Sequence, residues 1–153
     1  METSKVTTNT HTVGELAMKT ENRLPLALLF LRLSVFLVMF LWTVDKVVQP
    51  QHASEIMAAF YGIGGIGNFV IYLLATFELA IIVAFLLGFA KQWSYGLVFL
   101  IHGGSTLVPY KMYLQPFESS NLLFFAAIPM LAACFVLYYL REVDVLWTIK
   151  KKA

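Results

Sequence analysis

Long apolar runs dominate the sequence from Leu24 onward. The first run is LPLALLFLRLSVFLVMFLWTV, and Arg32 is its one charged residue. A helix needs about 20 mainly apolar residues to cross the hydrocarbon core of a bilayer. Later runs have a similar character, so the sequence predicts membrane-spanning helices at about residues 24–48, 67–90, 93–113 and 121–140.

The composition favours lipid as the solvent. The 153 residues are 59% hydrophobic and 13% charged, whereas soluble domains average about 45–50% apolar and about 25% charged residues. This excludes a disordered chain, a collagen-like chain and most cytosolic enzymes. Cys134 is the single cysteine, which excludes a disulfide scaffold. The predicted fold class is all-α, an integral membrane four-helix bundle.

Three segments make up the predicted domain organisation. Residues 1–23 are polar and are predicted to be a flexible cytoplasmic tail. Residues 24–141 form the transmembrane domain. Residues 142–153 are predicted to return to water as a basic tail; the lysines at its end mark topology or contact anionic lipid, and no nucleic-acid partner is expected.

The first outer loop, residues 49–66, carries signals for a short helix. Ser54 is predicted to cap this helix, which would lie along the membrane interface with Ile56, Met57 and Phe60 on one face. The glycine-rich stretch 62–67 is predicted to be a turn, because no strand precedes it as a phosphate loop requires.

Lysine and arginine are distributed unequally across the predicted membrane. One side holds eight of them and the other side holds Lys46 and Lys111. The eight are Lys5, Lys19, Arg23, Lys91, Arg141, Lys150, Lys151 and Lys152. Because cytoplasmic flanks collect positive charge, both termini are predicted to be cytoplasmic.

Three ionisable residues, Arg32, Glu78 and His102, fall inside predicted spans. A helical rise of about 1.5 Å per residue places them about 12, 16 and 14 Å from the cytoplasmic boundary. They are therefore predicted to share a layer near mid-membrane. Such residues usually face the bundle interior and pair with one another, so Arg32 is predicted to point at Glu78, with His102 nearby.

Helical periodicity extends this candidate site to neighbouring polar residues. Lys46 shares a face with Arg32, Met39 and Thr43 on the first helix. Tyr95 and Thr106 share the face of His102 on the third helix. The predicted ligand or proton site is the set Arg32, Glu78, His102, Lys46, Tyr95 and Thr106.

Alternatives stay open for these polar groups. Arg32 and Glu78 would be a structural clamp, or a site for a polar head group or a proton. His102 would be a packing residue, a proton relay or quinone contact, or a haem or metal ligand. No metal site is predicted, because the helices offer no second ligand of this kind. Cys134 is predicted to be a small buried hydrophobic residue.

A second polar group is predicted at the outer face. It comprises Asp45, Lys46, His52, Glu55, Tyr110, Lys111 and Tyr113. One reading is an interfacial belt, in which aromatic residues lie at headgroup level. The other is a substrate mouth, with Lys46 directed inward over the bundle.

The chain resembles the DoxX-like membrane proteins, a family of small bacterial four-helix proteins. The resemblance covers about residues 24–143 and depends on LRLSVFLVMFLWTVDKV, which contains Arg32 and Lys46. It also depends on ATFELAIIVAFLLGF, which contains Glu78 and Gly88, and on NLLFFAAIPMLAACFVLYYLREVD. Asp45 departs from the family pattern, which tends to have a small residue before the lysine.

The resemblance implies a multi-pass protein of the bacterial inner membrane, acting as an accessory subunit of a quinone-linked redox system. A quinone would bind near Glu78, His102 and Arg32, between aromatic walls from Phe77, Phe85 and Tyr95. No cofactor motif is present, so electrons would come from a partner subunit and the chain would not be an enzyme on its own. The alternatives are a non-redox carrier or lipid-binding protein, and a structural or assembly protein; a homo-oligomer is compatible with each.

Overall fold

The computed structural model describes the backbone of residues 3–149 and the side chains of residues 23–149. Within these ranges the chain is helical and contains no strand, as predicted. The α-helices are α1 (Thr3–Val48), α2 (Pro50–Tyr61), α3 (Asn68–Leu86), α4 (Lys91–Leu107), α5 (Tyr110–Leu114) and α6 (Ala127–Tyr139), and a 3₁₀ helix (Asn121–Ala126) precedes α6.

Three helical segments are long and apolar enough to cross a membrane. They are Arg23–Val48 of α1, Asn68–Leu86 of α3, and Asn121–Tyr139, which joins the 3₁₀ helix to α6. The predicted third span is different, because α4 has 17 residues and carries Lys91 and His102. It packs against α3 and α6. The described part of the chain therefore indicates a membrane protein with three apolar helices and a shorter, more polar fourth.

The first helix begins at Thr3, well before the predicted span. The backbone of the predicted flexible tail is helical from that residue onward. Pro25 lies inside α1 and removes one backbone donor without ending the helix. The segment before Leu24 contains no proline and a single glycine, so an already nucleated helix continues through it. Residues 1–2 and the lysines at 150–152 lie outside the described residues.

Proline explains where the third predicted span departs from the structure. The prediction that the third span continues to Tyr113 is wrong: α4 ends at Leu107, and Pro109 immediately precedes the separate helix α5. The proline ring clashes with the preceding turn and lacks an N–H, which favours a break. Pro129 lies in the first turn of α6, where a missing N–H is tolerated.

The predicted short helix of the first outer loop is present as α2. Its predicted cap is wrong, because Pro50 begins the helix and Ser54 lies inside it. The Ser54 hydroxyl instead donates to the Ile66 carbonyl oxygen at 3.2 Å. Gly62 ends α2 with φ of 69°, and the glycine-rich stretch is a turn as predicted.

The described part of the segment after α6 does not extend away from the bundle. Residues 140–149, here called the C-terminal strap, fold back over the bundle end at which α3 ends and α4 begins. We call this the basic end, since Lys91 and Arg141 lie there. The Ile149 N–H donates to the Leu87 carbonyl oxygen at 2.9 Å. Asp144 in the middle of the strap is fully buried.

The bundle interior follows the predicted helix faces. Met39 and Thr43 are buried beside Arg32 on α1, and Ile82 and Phe85 are buried on α3. Cys134 is buried, as predicted. Large apolar side chains also cover the outside, among them Phe69, which is 78% exposed. An apolar exterior of this kind fits a hydrocarbon surrounding.

Candidate functional site

Arg32 is completely buried at the basic end of the bundle. Its Nη1 donates to the Tyr95 hydroxyl oxygen at 3.0 Å and to Asp144 Oδ2 at 3.1 Å. Its Nη2 donates to the carbonyl oxygen of Leu146. A buried guanidinium requires such a partner set, since an unpaired charge in an apolar interior is strongly unfavourable.

Asp144 is held by two residues of α4. The Tyr95 hydroxyl donates to Asp144 Oδ2 at 2.7 Å, and Lys91 Nζ donates to the Asp144 backbone oxygen at 2.7 Å. Lys91 and Tyr95 are four residues apart, so they lie on the same face of the helix. Phe85 of α3 packs edge-on against the Tyr95 ring, with centroids 4.8 Å apart. The strap is thus bound to both α1 and α4.

Arg32, Tyr95, Lys91 and Asp144 are called the Arg32 cluster below. Two atoms of this cluster are buried without a hydrogen-bond partner among the described residues. They are Nε of Arg32 and Oδ1 of Asp144. The carboxylate therefore uses only one of its two oxygens, and the guanidinium leaves one donor unused. A bidentate arginine–carboxylate pair would use a second oxygen.

The predicted pairing of Arg32 with Glu78 is wrong. Arg32 pairs with Asp144 of the strap, and Glu78 pairs with Lys46. The depth estimate fails because it took Leu24 as level with the end of the second span, and Leu24 does not lie at that level. Gly88, just past the end of α3, lies so close to Arg32 that an added Cβ would be 3.2 Å from its Nη1. Arg32 therefore lies level with the end of α3, whereas Glu78 lies near the middle of that helix.

The second ion pair joins α1 to α3. Lys46 Nζ lies 2.7 Å from Glu78 Oε2, and the two side chains are 30% and 13% exposed. Lys46 is thus directed inward, as the substrate-mouth alternative predicted for it. Unlike the sealed Arg32 cluster, this pair keeps a path to the surface.

Tyr61, the last residue of α2, is affected by the charge of this pair. Burial raises the pKa of the Tyr61 hydroxyl, and the negative charge of Glu78 raises it further. On the same side of the molecule, His52 Nδ1 lies 2.8 Å from Asp45 Oδ2, which links α2 to α1. Of the predicted outer polar group, Asp45 and His52 are therefore in contact where α1 and α2 meet.

His102 belongs to neither ion pair. Its Nε2 lies 3.2 Å from the Ala127 carbonyl oxygen, and its own carbonyl oxygen accepts from Thr106 Oγ1 at 2.7 Å. The Tyr113 hydroxyl donates to the Thr106 carbonyl oxygen at 2.8 Å. These bonds join α4 to the start of α6 and to α5. His102 lies seven residues from Tyr95, about 10 Å along the helix, so it does not join the Arg32 cluster.

The predicted site is therefore divided into three separate clusters. Of the predicted aromatic walls, Phe85 and Tyr95 are in contact, while Phe77 is 63% exposed on the outside. The residue that prediction missed is Asp144. Its signal was weak: it is the one acid in the mainly apolar stretch VDVLWTI, a composition that does not suit a solvated tail. Across residues 23–149, no three His, Cys, Asp or Glu side chains are placed to hold a metal ion.

Comparisons with known proteins do not identify a relative. No family model, no curated protein and no solved structure matches the chain.

Proposed function

We propose that this chain is a DoxX-like multi-pass protein of the bacterial inner membrane that serves as an accessory subunit of a quinone-linked redox system. In this proposal, the quinone binds at the Lys46–Glu78 pair. Arg32 is assigned a separate role, because its charge is already matched by Asp144.

The observation that carries the proposal is the partial exposure of an ion pair within apolar helices. Glu78 lies ten residues after the start of α3 and eight before its end, so it is near mid-helix. Ionisable groups at such a depth are costly and usually mark a substrate or proton pathway. Since Lys46 and Glu78 are 30% and 13% exposed, a bound molecule could reach both.

The two side chains have complementary chemistry for a quinone. The Lys46 ammonium can donate a hydrogen bond to a quinone carbonyl oxygen. Glu78 can accept or release the proton that accompanies quinone reduction. The sequence contains no motif for flavin, haem or an iron–sulfur cluster, so a partner subunit would supply the electrons.

The charge distribution supports an orientation for this proposal. In the predicted topology, eight lysines and arginines lie on the side of the termini and two on the other, which favours cytoplasmic termini. A reporter that is active only in the cytoplasm, fused after Ala153, should be active. A silent reporter on a folded protein would reverse the orientation.

Binding of decylubiquinone to the full chain in lipid nanodiscs tests the site. We expect saturable binding above that of empty nanodiscs, and roughly tenfold weaker binding for Glu78→Gln, the loss typical of one hydrogen-bonded group. Glu118→Gln is the matched control, because Glu118 is an exposed loop residue. Equal binding by both variants, or no binding above empty nanodiscs, would remove the proposal.

The same pair favours one alternative of a different class, a non-redox carrier or lipid-binding protein. Because the Lys46–Glu78 pair is partly exposed, it would bind any polar group that is attached to an apolar tail. The redox state of the probe separates the two functions. A quinone site should distinguish decylubiquinone from decylubiquinol, whereas a general amphiphile site should bind the two equally.

A further inference from the structure

The Arg32 cluster has one positive charge more than it neutralises internally. Arg32 and Lys91 contribute two positive charges, while Asp144 contributes one negative charge. Lys91 binds only the backbone oxygen of Asp144, which is a neutral acceptor. Arg32 and Tyr95 therefore converge on a single carboxylate oxygen, while Lys91 reaches only the main chain of the same residue. One negative charge cannot match the two positive charges.

The carboxylate is also a poor geometric match for these donors. Asp144 Oδ1 has no partner in the described structure, and neither does Arg32 Nε, although both residues are fully buried. A tetrahedral oxyanion presents more acceptor oxygens than the single one that Asp144 uses. Arginine and lysine are the side chains that proteins use most to bind such groups.

The residue that fills this position belongs to the C-terminal strap and not to one of the helices. The strap contains turns and irregular backbone but no regular helix across residues 141–149. Trp147 has φ of 51°, a left-handed conformation that is unfavourable for a bulky residue, and its side chain is 76% exposed. By contrast, Arg32 lies on α1, and Lys91 and Tyr95 lie on α4.

We infer that Arg32, Tyr95 and Lys91 form a phosphate-type oxyanion site at the basic end, which the Asp144 carboxylate of the strap occupies as an internal ligand. A phosphate group that displaces Asp144 would receive hydrogen bonds from the guanidinium, the Tyr95 hydroxyl and the Lys91 ammonium. Arg32 lies beside Gly88, at the end of α3, so displacement of the strap would open this site at the end of the bundle to a lipid headgroup or a free phosphate. This inference is independent of the quinone proposal, which concerns Lys46 and Glu78.

The unaltered full chain provides the first test, by hydrogen–deuterium exchange of the strap amides. The protein is placed in nanodiscs of phosphatidylcholine alone, in nanodiscs that also contain phosphatidylglycerol, and in phosphatidylcholine nanodiscs with inorganic phosphate replacing chloride at equal ionic strength. We expect displacement of the strap to raise exchange about tenfold, within the usual range of ligand-coupled transitions. A response to phosphatidylglycerol alone identifies a lipid headgroup, and a response to inorganic phosphate identifies a free oxyanion. No response to either probe overturns the inference.

Two variants separate a specific site from general attraction of a basic surface. Arg32→Gln removes the central donor, and Arg141→Gln removes a positive charge from the same bundle end outside the cluster. We expect the exchange response to be lost in Arg32→Gln and kept in Arg141→Gln. If Arg32→Gln folds and still responds, the phosphate acts elsewhere and the inference is wrong. If Arg32→Gln does not fold, the exchange measurements on the unaltered chain still decide whether the inference holds.

Discussion

The guanidinium of Arg32 and the carboxylate of Asp144 are 112 positions apart in sequence and 3.1 Å apart in the structure, and both side chains are fully buried. One belongs to the first spanning helix, and the other belongs to the strap after the last helix. Tyr95 joins them by bonding to both. The two ends of the membrane domain are therefore connected by one ionic contact in an apolar interior.

Loss of this contact should be strongly destabilising. Asp144→Asn leaves the Arg32 charge buried without its partner, so we expect the free energy of unfolding to fall by about 3–5 kcal/mol. Reversible unfolding in detergent, in phosphate-free buffer, measures this change. Asp45→Asn is the matched control: Asp45 faces a half-exposed His52, so its loss should change stability by about 1 kcal/mol or less. Equal effects of the two substitutions would contradict a buried ionic clamp at Asp144.

Gly88 should be sensitive to any added side chain. Its φ is +58°, and an added Cβ would lie 2.5 Å from Cγ2 of Thr148 in the strap. Gly65 is a suitable control, because its φ is +74° and its surroundings are open. Gly65→Ala should reduce stability by about 1–2 kcal/mol through backbone strain alone. Gly88→Ala should reduce it by about 1–3 kcal/mol more, through overpacking against the strap. Indistinguishable unfolding curves would show that Thr148 moves away freely.

The Lys46–Glu78 pair should contribute little to stability, in contrast to the Arg32 cluster. Lys46 is 30% exposed, so water or a lipid headgroup can solvate it after Glu78 is neutralised. We expect Glu78→Gln to lower the free energy of unfolding by about 1 kcal/mol or less. A double-mutant cycle with Lys46→Met measures the coupling directly. A loss as large as that of Asp144→Asn would assign this pair a clamp role and weaken the case for a binding site.

Tyr61 should report on the charge of Glu78 at alkaline pH. Burial, and then Glu78, raise the pKa of the Tyr61 hydroxyl above its ordinary value of 10.0. The raised pKa stabilises the folded state fully below pH 10, and this stabilisation is lost as pH rises through the folded-state pKa. In an ultraviolet absorbance titration, Glu78→Gln should move the pKa of Tyr61 part of the way back, since burial remains. Tyr61→Phe removes the absorbance change that belongs to Tyr61 and thereby identifies it. An unchanged pKa of Tyr61 in Glu78→Gln would contradict the proximity of Tyr61 and Glu78.

Periodicity predicted the buried helix faces correctly, because the spacing of polar residues along a helix is a local property. Arg32 and Thr43 lie on one buried face of α1, and Tyr95 and Thr106 on one of α4. The depth argument failed where it assumed helix ends. It took Leu24 as level with the end of α3 and thereby placed Arg32 level with Glu78, whereas the Arg32 guanidinium itself lies at the end of α3.

The amino-acid sequence by itself determined an all-helical chain with long apolar segments. The reason is that the length and the period of an apolar segment depend only on residues that are close together in the sequence. It also showed that Arg32 and Glu78 each need a partner, since an ionised group in an apolar bundle is unfavourable alone. Only the tertiary structure decided which partner each obtains. Asp144 reaches Arg32 through a strap that turns back over the bundle, and Lys46 reaches Glu78 by pointing inward. The physical reason is that a Coulomb interaction depends on distance in space, which the chain path after the last helix sets and which no local pattern in the sequence records.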